Sequence, residues 1–290
     1  MQVRQTINNE GVERFFSGDL DQAEVKFREA IEANGQDSSA YNNLAFLLQQ
    51  KGLLDEAESA ARTSLELNDQ SSFAWLNLGN ILVQQGRGEE GVKCITASIE
   101  ADRSNAHAWE SLATVSMMQH DHQSAEQCWQ AAAALKPGES KYWVQLGLSK
   151  AALRKNDDAV ECLHKAIEAD SANSYAWSQL GIMELMQNNF GIARKALMKA
   201  LSLYPEDSNS RYHLALVYLS ENNVPAAKTE FDRVLEVDPA NVKVLTERGV
   251  LELGTDNPEG AKAFFERALA IDPSSEQALS YMAQVSAGKE

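Results

Sequence analysis

The sequence predicts an all-α fold built from one repeated helix-turn-helix unit, and three observations predict it. Trp75, Trp109, Trp143 and Trp177 follow one another at intervals of 34 residues. Each is followed three positions later by Leu and four positions later by Gly or Ala, as in Ala-Trp-Leu-Asn-Leu-Gly from Ala74 and Ala-Trp-Ser-Gln-Leu-Gly from Ala176. On a helix with about 3.6 residues per turn those offsets share one face. A ring, an aliphatic chain and a small residue therefore form one buried stripe, and the small residue admits a second helix. That second helix is the third observation, and it begins about sixteen residues after each Trp. Its small slot runs Ala23, Ala57, Gly91, Ala125, Ala159, Ala193, Ala227, Ala261. Four residues on lies a bulky slot, Phe27, Ala61, Ile95, Trp129, Leu163, Leu197, Phe231, Phe265. Another mostly small slot follows from Ala30 to Ala268, then a boundary slot that holds Pro137, Pro205, Pro239 and Pro273.

In period, order and residue types this pattern resembles the tetratricopeptide repeat family. The resemblance covers residues 4 to 275 as eight gapless repeats starting at Arg4, Ser38, Ser72, Ala106, Ser140, Ser174, Ser208 and Val242. A ninth first helix, 276–287, is expected to cap the array. The resemblance implies a right-handed superhelical solenoid, with the first helices lining a concave groove. The unbroken period implies one continuous domain over residues 1–290.

Taken in order, the first repeat has Ile7 in the Trp slot and Glu10 in the Leu slot, and it carries Phe15-Phe16 just before the turn at Gly18. Those two rings are expected either to form an exposed binding patch or to pack on the second repeat. The eighth repeat departs similarly, with Leu245 and Arg248 in the two slots, and Arg211 replaces Trp in the seventh. The outer repeats are accordingly expected to pack more loosely. Ser38, Ser72, Ser140, Ser174 and Ser208 open first helices and are expected to be N-caps. Asp21, Asp55, Glu89 and Asp157 fall where second helices start and complement the positive dipole end. Pro225 and Pro258 lie in the first turn of a second helix, where no hydrogen bond is lost. In the last helix Leu279, Met282 and Ala283 share the side expected to cover the eighth repeat.

Composition narrows the function. The chain has 42 acidic and 26 basic residues, a formal net charge of -16, which repels phosphate backbones and anionic membranes. Nucleic acid is not an expected partner. No apolar run approaches the roughly 18 residues that span a bilayer, and Met1-Gln-Val-Arg-Gln is no signal-peptide core. The expectation is a cytoplasmic protein without membrane insertion. Cys94, Cys128 and Cys162 are also 34 apart, on equivalent helices about 8–10 Å from one another, too far for a disulfide or a shared zinc. They are expected to be thiols in a small half-buried slot. His120, Asp121 and His122 crowd one turn but supply too few ligands for a metal. The period assembles no nucleophile, base and acid, and no phosphate-cradling loop, so neither catalysis nor a cofactor is expected.

What remains is the other flank of the first helices. Counted from each Trp slot, positions two before, one after, five after and eight after form a stripe. It holds Phe73, Leu76 and Asn80 in the third repeat, His107, Glu110 and Met117 in the fourth, and Val144 and Leu148 in the fifth. Tyr175 and Ile182 continue it in the sixth and Tyr212 in the seventh. Part of this apolar stripe is expected to pack one first helix on the next, and the rest to face a ligand. Met117, Met118 and Met186 suit a surface that adapts to its partner. Two positions after the Trp slot runs a polar ladder, Asn9, Asn43, Asn77, Ser111, Gln145, Gln179, His213, Glu247 and Tyr281. It resembles the asparagine ladder with which some members of the family hold a peptide lengthwise. The family's clamp for the carboxylate tails of heat-shock chaperones needs lysines and an arginine where this chain has Asn8, Phe73 and Asn77, so that activity is not implied.

The expected function is therefore a non-enzymatic scaffold or adaptor holding an extended or helical segment of a partner protein. The alternatives are a holding chaperone or assembly factor for secreted or membrane-bound subunits, and the targeting arm of an enzyme. Self-association stays open.

Overall fold

The computed structural model describes residues 2–287, and its helices alternate as the period requires. Helices α1 (Gln2–Phe16) and α2 (Leu20–Ala33) form the first pair, α3 (Ser38–Gln50) and α4 (Leu54–Leu67) the second, α5 (Ser72–Gln84) and α6 (Gly88–Ala101) the third, α7 (Ala106–Met118) and α8 (His122–Leu135) the fourth. The series continues with α9 (Ser140–Ala152) and α10 (Asn156–Ala169), α11 (Ser174–Met186) and α12 (Phe190–Leu203), α13 (Ser208–Ser220) and α14 (Val224–Val237), α15 (Val242–Gly254) and α16 (Pro258–Ile271). A last helix, α17 (Glu276–Ala287), packs on α16. The chain falls into two compact units, Met1–Pro137 with Leu148–Arg154, and Gly138–Gly147 with Lys155–Glu290.

Local chemistry sets the helix boundaries. Between each first and second helix one residue takes a left-handed conformation, at Gly18, Gly52, Gly86, His120, Arg154, Asn188, Asn222 and Asp256. These positions are 34 apart, and glycine, which adopts this conformation without strain, fills only the first three. Most second helices end on an Asx turn. Asn34, Asn68, Asp102, Asp170, Asp238 and Asp272 each accept the backbone N–H two residues on. Four N-caps of first helices, Asp37, Ser71, Asn173 and Asp207, lie one residue earlier than the expected serines, and Asn105 and Asn241 cap α7 and α15; each accepts the first free N–H groups. Ser38, Ser72, Ser174 and Ser208 are thus the first helical residues. Two of the serines bind the neighbouring helix instead: Ser72 Oγ lies 2.9 Å from Ser98 Oγ, and Ser140 Oγ donates to the Ala166 carbonyl at 2.7 Å. Each also accepts the amide of the next repeat's Asn, Asn105 or Asn173, at 2.8 Å.

The three slots of the second helix are buried at every repeat, from Ala23, Phe27 and Ala30 to Ala261, Phe265 and Ala268. Gly79 and Gly91 bring α5 and α6 into backbone contact: a Cβ on Gly79 would lie 2.9 Å from the Gly91 carbonyl oxygen, and one on Gly91 2.8 Å from that of Gly79. In the Trp slot, the indole N–H of Trp75, Trp109 and Trp177 donates to the carbonyl six residues earlier, at 2.7, 3.0 and 3.0 Å. Arg211 reproduces that bond, its Nη2 reaching the Pro205 carbonyl at 2.7 Å. Pro225 and Pro258 sit in the first turns of α14 and α16.

The eighth repeat is not loose. Leu245 is fully buried, and Arg248 donates to Asp232 at 2.7 and 3.2 Å and to Glu252. Glu252 also receives Lys228 at 2.9 Å and Asn257 at 2.8 Å. Burial alone would raise the Glu252 carboxyl, but the bonds from Arg248, Lys228 and Asn257 outweigh it and hold it at about 2. On α17 the covering side only partly matches the expected one. Met282 packs on the cluster around Phe265 as expected, but Leu279 and Ala283 are exposed, and Ala278, Val285 and Tyr281, which stacks on Phe265 with centroids 5.7 Å apart, complete the cover.

Candidate functional site

In the unit that begins the chain, first helices touch one another, α1 on α3, α3 on α5 and α5 on α7. Their common flank encloses a groove of about 520 Å³ lined by Phe16, Asn42, Asn43, Phe46, Phe73, Leu76, Asn77, Asn80, His107, Glu110 and Ser111. A hollow of about 270 Å³ adjoins it, lined by Val12, Phe15, Phe16, Phe27, Asn43 and Phe46. Phe16, Asn43 and Phe46 belong to both.

The two adjacent phenylalanines divide the roles that the sequence left open. Phe15 packs on the core cluster and against Phe46, with centroids 5.4 Å apart. Phe16 meets Phe15 edge-on at 5.7 Å and is otherwise 82% exposed, an apolar ring held in solvent. Phe73 on α5 is 57% exposed. Such rings lose apolar contact area to water and regain it when a partner covers them.

The asparagines are partly committed. Asn43 donates its amide to Asn8 Oδ1 at 3.0 Å, and Asn77 donates to Asn42 Oδ1 at 2.8 Å, so each braces its helix to the preceding first helix. Asn42 and Asn77 both line the groove, and their shared bond uses one carbonyl and one amide. One carbonyl and one amide group are left, which complements the one C=O and one N–H of a peptide unit. At the far end Lys136 Nζ lies 3.2 Å from His107 Nε2, and His107 Nδ1 lies 3.4 Å from Glu110.

Asn43, Phe73, Asn77 and Asn80 are thus brought together, whereas Leu76, though it touches the lining, is buried and packs in the core cluster with Ile95 and Ile99. Asn9 is exposed on α1 outside the lining. Met117 and Leu148 are half-buried, and Met117 Sδ accepts the Ser149 hydroxyl at 3.5 Å. In the other unit Val144 is 1% exposed and so is a packing residue, not a groove wall. Ile182 packs on the cluster around Leu197, and Tyr212 lies against Phe231 with Lys243 Nζ 4.1 Å above its ring. Gln145 and Gln179 are half-buried, while Tyr175 is 49% exposed. The ladder changes character here: burial lowers the His213 imidazole and raises the Glu247 carboxyl, so both charged forms are disfavoured. Asn42 and Phe46 were not among the expected groove residues. Their signal was the same stripe carried back one repeat, one and five positions after Tyr41.

Asp121 caps α8, accepting the Ser124 N–H at 3.0 Å. Burial pushes the Cys128 thiol up to about 11 and also raises Cys94. Among the described residues no group of three or more His, Cys, Asp or Glu could hold a metal ion, and no helix is long and apolar enough to cross a membrane.

No curated protein matches the sequence. Among solved structures, the type IV pilus biogenesis factor PilW matches with a TM-score of 0.63 at 19% identity over 72% of this chain and 97% of its own. The Cut9–Hcn1 hetero-tetramer of the APC/C matches with a TM-score of 0.62 at 16% identity over 92% of this chain, which spans 52% of that chain. YrrB, a TPR protein described as having an unusual peptide-binding site, matches with a TM-score of 0.54 at 21% identity over 65% of this chain and 97% of its own. At these identities the likeness is one of fold. Family models described as tetratricopeptide repeat match residues 26–59, 76–140, 144–208, 178–227 and 212–276. With its helix pairs, its buried slots and these matches over most of its length, the chain belongs to the tetratricopeptide repeat family.

Proposed function

We propose that this protein is a non-enzymatic scaffold or adaptor that holds a segment of a partner protein along the flank of its first helices. The carrying observation is the groove on α3, α5 and α7, where solvent-held phenyl rings alternate with amides that keep hydrogen-bonding capacity. Apolar rings supply affinity by burial, and amides match a backbone without demanding one side-chain sequence. The formal charge of -16 favours protein over nucleic acid as the occupant.

The test is a pull-down with the full chain, followed by hydrogen exchange of the recovered complex. Binding by a scaffold slows exchange in α3 and α5, with one partner in fixed stoichiometry. Protection confined to the second helices sinks the groove. A holding chaperone is the second reading, favoured by Met118 and Met186, which stand 69% and 65% exposed at the ends of first helices. It would instead recover many unfolded clients.

A further inference from the structure

We infer that the occupant of this groove is an extended, uncharged peptide segment that seats one large apolar side chain in the hollow between Phe15, Phe16 and Phe46. This rests on the groove being the binding surface and adds what it selects. Three features carry it.

The first is charge. In a chain of net charge -16, the lining of the larger cavity offers one carboxylate, Glu110, at the end where His107 and Lys136 gather, and the smaller hollow has none. Elsewhere acidic groups are plentiful. A basic segment would therefore find its counter-charges outside the groove, and a charged side chain in the hollow would lose water against phenyl rings without a partner.

The second is shape. The hollow opens into the groove at Phe16, Asn43 and Phe46, so a side chain can enter it while its backbone stays beside Asn43. Its walls are Val12 and three phenyl rings in addition to Phe46, which suits an aromatic or long aliphatic group. The third is spacing. Asn43 and Asn77 hold equivalent places on successive first helices, about 8–10 Å apart for packed helices. Three residues of extended chain, at about 3.3 Å each, cover that distance. A helix would cover it with about six residues and would turn its own hydrogen-bonded backbone away from the amides.

The experiment uses the full chain and a displayed library of random nonapeptides with blocked termini. The expected result is enrichment of peptides with Phe, Tyr, Trp, Leu or Met at one position and no charged residue within two positions of it. Phe16→Ser, which changes a ring already in solvent, should weaken a selected peptide at least tenfold, while Ile192→Ser, at an exposed apolar residue on the second helix α12, leaves it unchanged. Selection of peptides without a fixed apolar position, or of charged ones, or equal affinity for Phe16→Ser, overturns the anchor but leaves a scaffold. If no peptide is enriched, the groove reading fails as well. Concentration-dependent self-association of the parent that Phe16→Ser abolishes would make the occupant a second copy and overturn the proposal.

Discussion

Glu10 in the first repeat and Arg248 in the eighth stand in the same slot, where the six repeats between them carry Leu. Glu10 solves the problem by leaving the core: it is exposed and meets Lys26 at 3.5 Å. Arg248 stays in, 8% exposed, and gathers Asp232 and Glu252 around it. A charged residue in an apolar slot thus predicts nothing by itself about looseness. What matters is whether neighbours can complete its hydrogen bonds, because a buried ion is tolerated only when paired.

The largest expected effect comes from removing residues 276–290, which uncovers Phe265 and the cluster it shares with Val285 and Tyr281. Each buried side chain of that size contributes about 1.5–3 kcal/mol, so the truncated chain should melt earlier and self-associate. Light scattering that reports the same association state as the parent would mean that α17 covers nothing essential. Next is the slot itself. Arg248→Ala should cost about 1.5–3 kcal/mol, since Glu252 loses a charged hydrogen bond but keeps Lys228 and Asn257 and Asp232 is half exposed, against about 0–1 kcal/mol for Glu10→Ala at its exposed pair. Urea titrations giving equal losses would erase the comparison.

The same network has a pH signature. The Glu252 carboxyl is depressed on folding, so its contribution is complete above the unfolded value of 4.5 and is lost as pH falls toward about 2. Acid titration should destabilise the parent through this window more than Glu252→Gln. A parallel response of the two would show that the carboxylate has no special part.

In the groove, Asn43→Ala with Asn77→Ala should lower affinity for a selected peptide by about 1–3 kcal/mol by calorimetry. Because both amides also brace neighbouring helices, the pair should in addition cost about 1 kcal/mol of stability per bond. Unchanged affinity would move the backbone contacts off the ladder. The smallest effect is a gain. Arg154 takes φ 60° in the turn where earlier repeats have Gly, so Arg154→Gly should stabilise by about 0.5–1 kcal/mol. Asn188→Gly should change little, since Asn tolerates that conformation. A loss at Arg154 would show that its side chain holds the turn.

Helix pairing, the buried slots and the proline positions were legible because each slot meets the same neighbour in every repeat, so its residue type recurs every 34 positions. The groove was legible as a stripe but not in depth. Val144 and Tyr175 both read as stripe residues, yet one is buried and the other half in solvent. Period gives a direction around the helix, whereas depth depends on how close the next helix comes.

Sequence alone therefore determined the fold, because burial at fixed intervals of one chain can be met only by helices stacked in register. Tertiary structure decided which asparagine leans on which, that Phe16 stays in water while Phe15 does not, and that Arg248 is satisfied. Each of these is settled between residues on different helices, at distances that a one-dimensional period does not contain.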